Sequence, residues 1–272
     1  MPRFITSDEI SIEYDSKGID QAIILIHGFG GEGSSFRVLD KILSKSFNTI
    51  EMDLRGHGKS DAGINTTIDV MAKDLKELIK YLNLTNLVLV GWSMGGSVLL
   101  EYIRQFGTEN ISGLVIIESS PMITSEEKWR GALFKGNYSK EQAIKDIQAM
   151  KRNWDNFAEL FVRKMAPNLD KRSFELAIDK IASNDPDVMS AVWSSLISKD
   201  YRNLISKIEL PALVINGADS TFYDPKSGED IAKMFPLGQH VIIDRAGHML
   251  VMENPVALSI AITEFIDNNI LK

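Results

Sequence analysis

The sequence predicts an α/β protein with a doubly wound, largely parallel sheet. Two observations carry that expectation: short, continuous apolar runs recur along the chain, and amphipathic helical patterns separate them. The runs fall at residues 10–14, 22–26, 47–52, 87–90, 114–117, 212–215 and 241–243. Most lack the alternation of a strand with one wet face, so they suit a sheet covered by helices on both sides. Between them, residues 69–82 place Val70, Leu75, Leu78, Ile79 and Leu82 near one helical face. Residues 255–270 repeat the pattern with Ala257, Ile260, Ala261, Phe265 and Ile266. From about Thr124 to Leu204 no buried strand is evident, and the pattern is helical with Trp129, Phe134, Trp154 and Trp193 as aromatic anchors. This predicts a helical cap at 123–205, inserted between two sheet strands of a core formed by 1–122 and 206–272. Its expected place is over the carboxyl ends of the strands, where open α/β sheets bind ligands. Those aromatics form either the cap's own small core or a substrate lining, and Trp92, Trp129 and Trp154 are the candidate substrate contacts.

Composition narrows the class. A chain of 272 residues buries about 75% of its unfolded surface on folding, enough for one sizeable core without covalent staples. With 44% hydrophobic and 25% charged residues it has an ordinary globular composition. The absence of cysteine excludes disulfides, thiolate metal sites and a cysteine nucleophile. Thirty basic against 37 acidic side chains give a net charge of −7, which disfavours nucleic acid as a partner. No apolar run approaches the roughly 20 residues of a membrane-spanning helix. The first ten residues include Arg3, Asp8 and Glu9 and lack the apolar stretch of a signal peptide, so a cytoplasmic location is expected.

Three segments carry chemistry. The first is Gly91-Trp92-Ser93-Met94-Gly95, between the run at 87–90 and a helical pattern at 97–106. A strand-to-helix turn this tight strains the serine backbone and projects its hydroxyl into a cleft, while the flanking glycines, extended by Gly96, let the chain pass closely. The helix amino end aims N–H groups at any oxyanion beside Ser93, with the Met94 amide as first donor. The second is His27-Gly28-Phe29-Gly30-Gly31, after the run at 22–26. It lacks the spacing of a dinucleotide fingerprint and the lysine of a phosphate loop. Its better use is to present the Phe29 amide as second oxyanion donor, with His27 bracing the loop. The third is Gly247-His248, after the run at 241–243. Among four histidines, only His248 sits on a loop at a strand's carboxyl end, and it follows the serine in the order that this kind of triad requires, making it the expected general base.

Together with Asp53-Leu54-Arg55-Gly56-His57-Gly58-Lys59-Ser60, these segments resemble the α/β-hydrolase superfamily, in the serine carboxylesterase-like branch with a helical cap. The resemblance covers nearly the whole chain. It implies a mostly parallel eight-stranded sheet with a cap after the sixth strand, no metal or organic cofactor, and a structural role for residues 55–60. The acid departs from the common pattern. The usual place, three residues beyond Gly217, holds Ser220, and Asp219 comes one residue early. The alternative is Glu118, which ends the run at 114–117 and resembles a branch whose acid follows that earlier strand and whose later position often holds serine. Glu118 is the favoured acid and Asp219 the alternative, with Asp224 and Asp244 near the same sheet edge.

The expected activity is hydrolysis of small-molecule carboxylic esters through an acyl-enzyme. A serine nucleophile argues against dehalogenase and epoxide hydrolase chemistry, which the same superfamily performs with aspartate. Thioesterase, lactonase, carbon–carbon bond hydrolase and perhydrolase reactions share the apparatus. A small-ligand receptor on a hydrolase scaffold is the alternative from a different class, and no appended domain or charged tail favours it. A monomer or small homo-oligomer is expected.

Overall fold

Runs of isoleucine, leucine and valine too short for a helix and dry on both faces form the centre of the sheet. The computed structural model describes residues 2–126 and 129–271. Its strands are β1 (Arg3–Ile5), β2 (Ser11–Lys17), β3 (Ala22–Ile26), β4 (Asn48–Met52), β5 (Leu87–Trp92), β6 (Ile111–Ile117), β7 (Ala212–Gly217) and β8 (Gly238–Ile243). They lie side by side in the order β1-β2-β4-β3-β5-β6-β7-β8. The first two are antiparallel to their neighbours, and the pairings from β4 to β8 are parallel. Every residue of β3, β5 and β7 is buried, and each large aliphatic side chain so removed from water contributes roughly 1.5–3 kcal/mol.

The sheet has two edges of different character. β1 had no sequence signal, because three residues with one buried side chain carry no period. β8 is the other edge. It is mostly half-exposed and starts three residues before the predicted run, since its outer side has no neighbour to dry it.

Helices cover both faces. α1 (Arg37–Leu43), α2 (Ile68–Tyr81) and α3 (Met94–Phe106) lie between core strands. The helical chain between β6 and β7 comprises α4 (Leu133–Gly136), α5 (Lys140–Arg152), α6 (Trp154–Met165), α7 (Lys171–Ala182), α8 (Pro186–Ile197) and α9 (Arg202–Ile205). α10 (Pro225–Met234), α11 (Leu250–Glu253) and α12 (Pro255–Asn269) complete the fold. α12 meets one sheet face, where Gly113 gives room to Phe265 and Ile270. α3 and α10 meet the other, beside Ile116 and His240. Two helical faces differ from expectation. α2 buries Ile68, Met71, Ala72, Leu75, Leu78 and Ile79 and leaves Val70 half-exposed. α12 turns Ile260 outward at 53% exposure and buries Leu258 and Ile262 instead, because its inner face packs on α1 and leaves Ile260 over an open groove beside the edge strand β8.

The segment after β4 is a structural corner, as its motif implied. Buried Arg55 pairs with Asp74 (2.6 Å) and Asp8 (2.8 Å). The Asp53 carboxylate accepts the Gly33 and Lys59 amides. Ser60 Oγ donates to the Asp53 carbonyl and accepts the Glu13 amide. Among the described residues no helix is long and apolar enough to cross a membrane.

Candidate active site

A single residue, Ser93, separates β5 from α3, and it carries the strain of that turn. Ser93 has φ 54° and ψ −120°, a conformation that L-residues avoid, and α3 starts at Met94 rather than three residues later as the sequence pattern gave it. The turn closes only because side chains are missing around it: a Cβ on Gly91 would stand 2.5 Å from the Gly95 carbonyl oxygen, and one on Gly95 would overlap the Ile26 carbonyl. Next along the sheet, Glu118 directly follows β6 with φ 46°. The Ser93 amide donates to Ile117 O (2.9 Å) and the Glu118 amide to Ile215 O (2.8 Å), so the ladder itself holds both strained residues at the strand ends.

His248 reaches this edge from the loop after β8. Its Nε2 lies 3.1 Å from Ser93 Oγ and its Nδ1 lies 3.0 Å from Glu118 Oε2. An ionised carboxylate only accepts, so Nδ1 carries the proton and Nε2 is left with a lone pair toward the serine hydroxyl. The imidazole is 1% exposed and Glu118 fully buried. Rings enclose it: Phe222 at 4.3 Å between centroids, Trp92 at 5.9 Å and Tyr223 at 6.0 Å. Trp92 Nε1 donates to the His248 carbonyl (2.9 Å), tying the two loops together. Burial, with the Glu118 carboxylate adding to it, pushes the Tyr223 hydroxyl far above the usual phenol range. The carboxylate of Glu118 accepts three further hydrogen bonds, from Ser220 Oγ (2.6 Å), the Gly217 amide (3.0 Å) and Asn216 Nδ2 (3.2 Å).

Asp219 does not reach the histidine. It is exposed, with its amide bound to Ala246 O, while the next residue, Ser220, turns inward. Asp224 caps α10 by accepting the Lys226 amide, and Asp244 is exposed on the loop after β8. The glycine-rich loop after β3 lies against the serine, since a Cβ on Gly28 would be 3.6 Å from Ser93 Oγ. His27 braces it: Nε2 accepts the Leu54 amide (3.0 Å) and Nδ1 bonds the Gly28 carbonyl (2.8 Å). Burial lowers His27 to about 4, so it stays neutral. Neither the Phe29 nor the Met94 amide finds an acceptor among the described residues.

The space beside Ser93 is about 10 Å³, room for about one water molecule. The core contributes Phe29, Met94, Ser97, Phe222 and Tyr223 to its wall. Ile123, Leu133, Phe161, Trp193 and Leu196 close it from the chain between β6 and β7. None of the three tryptophans expected to contact substrate lines it. Trp92 packs behind His248. Trp129 donates to the Met122 carbonyl (2.8 Å) under the Arg202 guanidinium, and Trp154 donates to Ala182 O (3.1 Å) behind Phe29. Their indole N–H groups are anchored locally, which points the rings elsewhere. Trp193, one of the four anchors that the sequence left open between cap core and substrate lining, does reach the wall, as do Phe161 and Phe222. Among the described residues no group of three or more His, Asp or Glu side chains is placed to hold a metal ion.

A strained serine between a parallel strand and a helix, facing a histidine from the last loop, defines a serine hydrolase of α/β type. Residues 21–255 match the family model described as alpha/beta hydrolase fold, and the chain belongs to that family. A Haemophilus influenzae protein assigned to the esterases and lipases is 25% identical over 253 residues, 91% of this chain and 83% of its own. The pimeloyl-[acyl-carrier protein] methyl ester esterase of Vibrio cholerae is 23% identical over 262 residues, 94% of this chain and 98% of its own. An esterase of Exiguobacterium antarcticum shares the fold with a TM-score of 0.89 at 20% identity, covering 97% of this chain and 98% of its own. The chain is thus an α/β hydrolase of the ester-hydrolysing kind.

Proposed function

We propose that the protein is a carboxylesterase acting on small, uncharged esters, with Ser93 as nucleophile, His248 as general base and Glu118 as the acid. The observation that carries this reading is the unbroken line Ser93 Oγ, His248 Nε2, His248 Nδ1 and Glu118 Oε2, with contacts of 3.1 and 3.0 Å. Nε2 takes the hydroxyl proton as Oγ attacks the ester carbonyl, and the carbonyl oxygen becomes an oxyanion between the Phe29 and Met94 amides. The imidazolium formed is stabilised by Glu118, and its Nε2 proton passes to the departing alcohol. Water then enters, gives a proton to Nε2 and attacks the acyl-enzyme, and collapse frees the acid and restores Ser93.

Residues 123–205 act as the cap, over a core of residues 1–122 and 206–272. The wall holds apolar and aromatic side chains, with no lysine or arginine among the described lining residues. A substrate carboxylate or phosphate would find no counter-charge there, and burying it unpaired is strongly unfavourable. The Vibrio cholerae relative is named for a methyl ester, whose alcohol is small and uncharged. A panel of p-nitrophenyl esters of increasing acyl length, with a fluorophosphonate probe to label the nucleophile, tests the reading. Turnover of short esters and labelling lost in Ser93→Ala are expected. A folded protein that neither hydrolyses the panel nor takes the probe at Ser93 would overturn it.

A further inference from the structure

We propose that Asn216, held in one amide orientation by His240 on the edge strand, is a positioning residue for the Glu118 carboxylate. This rests on Glu118 being the acid. Oε2 of Glu118 faces His248 and Ser220, and Oε1 faces the Gly217 amide and Asn216 Nδ2. Asn216 is 1% exposed, so its amide has no water to fall back on. Because Nδ2 donates to the carboxylate, Oδ1 must point away, and it meets His240 Nε2 at 3.2 Å. Oδ1 only accepts, so His240 presents Nε2–H. Burial holds this imidazole below its ordinary range, and at pH 8 the donor is the neutral Nε2–H tautomer.

A flip of the Asn216 amide would break both contacts at once. It would set Oδ1 against Glu118 Oε1, two acceptors, and Nδ2 against Nε2–H, two donors. With Nε2 protonated, His240 therefore favours the orientation that supports the acid, whereas the Nδ1–H tautomer would not. Position 228 shows the same pair from the other side. Gly228 lies within α10, where glycine costs roughly 0.5–1 kcal/mol relative to alanine. A Cβ there would overlap Asn216 Oδ1 and stand 2.5 Å from His240 Nε2. The amide and imidazole occupy the place of that missing side chain. The charged neighbour on α10 is Glu229, itself paired with Lys233 at 2.6 Å.

The test compares kcat and KM on a p-nitrophenyl ester at pH 8 for His240→Leu, His240→Gln, Asn216→Ala and Asn216→Asp, with melting temperatures measured alongside. Removing a hydrogen bond to a buried charge in Asn216→Ala lowers kcat by about tenfold or more, with KM nearly unchanged. Asn216→Asp, which sets a second carboxylate against Glu118, loses more than the alanine variant. His240→Leu lowers kcat severalfold. His240→Gln, whose amide N–H replaces Nε2–H, restores most of that loss, a rescue that a packing role would not give. A folded His240→Leu with wild-type kcat, or a glutamine variant no better than leucine, overturns the proposal. Glu118→Ala, run in the same series, separates the two levels of inference. If it keeps full activity, the reading of the acid fails. If it is inactive while the 216 and 240 variants match wild type, only the positioning role fails.

Discussion

The sheet and the helical chain between β6 and β7 both wall the space beside Ser93, but they do so by different physics. On the sheet side, position is set by backbone: Ser93 and Glu118 hold positive φ at adjacent strand ends, and their amides are fixed by the ladder. The carboxylate is saturated by three donors besides His248. On the helical side, position is set largely by side-chain packing, with Phe161, Trp193 and Leu196 reaching in from amphipathic helices and Trp193 Nε1 donating to the Tyr138 hydroxyl (2.9 Å). Ile144 of α5, Leu160 of α6 and Leu176 of α7 are at least half exposed. A strained, fully bonded turn tolerates few substitutions, whereas a packed apolar surface accepts many of similar volume. On the proposed reading, chemistry and selectivity therefore reside in regions with opposite tolerance to change.

The contrast is broken most severely at the serine. Ser93→Ala should lower kcat by about 10⁴-fold or more while the protein stays folded, as single-turnover and steady-state assays would record. Glu118→Ala follows, with an expected loss of about 10³- to 10⁴-fold, set against Asp219→Ala at near wild-type rate. Equal losses from both would mean that the exposed aspartate swings inward during turnover.

Acid stability sharpens the comparison, because all four histidines lie outside residues 123–205. Burial lowers His27 to about 4 and His57 to about 3 from 6.5. Groups depressed in the folded state leave stability intact above the unfolded value and remove it as protons bind the unfolded chain. Each histidine should accordingly remove stability from about pH 6.5 down to about pH 4 at roughly 1.4 kcal/mol per unit, while Glu51, raised to about 7, and Asp74, raised to about 6, act in the opposite sense. Urea titrations of the wild type and of His57→Gln check the histidine part: the variant should lose less stability on acidification, and identical profiles would contradict it.

On the helical side, Trp193→Ala should shift the kcat/KM ratio between long and short acyl esters toward the longer chain by about tenfold, with the short-ester kcat reduced little. The smallest effect is expected from Lys180→Ala. Its pairing with Glu32 joins α7 to the glycine-rich loop, but the two side chains are 40% and 22% exposed, and such pairs contribute under about 1 kcal/mol. A melting-temperature change of several degrees would show that the contact does more than a surface pair.

Where local sequence dictates structure, the reading from sequence was close. The residues 22–26 and 255–269 lie in β3 and α12 nearly as their periodicity proposed. Ser93 and His248 were marked by residue type at a strand's end. What the sequence left open was decided by contacts between distant residues. Glu118 and Asp219 satisfy the same order along the chain, and only the inward turn of Ser220 and the pairing of β6 with β7 distinguish them in space. Asn216 carried a signal, an amide ending a dry strand, that periodicity does not interpret. The lining rings were unreadable for a related reason: indole N–H bonds to nearby carbonyls aim Trp129 and Trp154 away, and no local pattern reports such an anchor.

The space of about 10 Å³ beside Ser93 sets a further condition on turnover. A space that takes about one water takes an ester only if the rings of Phe161, Trp193 and Phe222 give way to the guest. Such motion works against solvent friction. Throughput on a reactive ester should thus fall as viscosity rises.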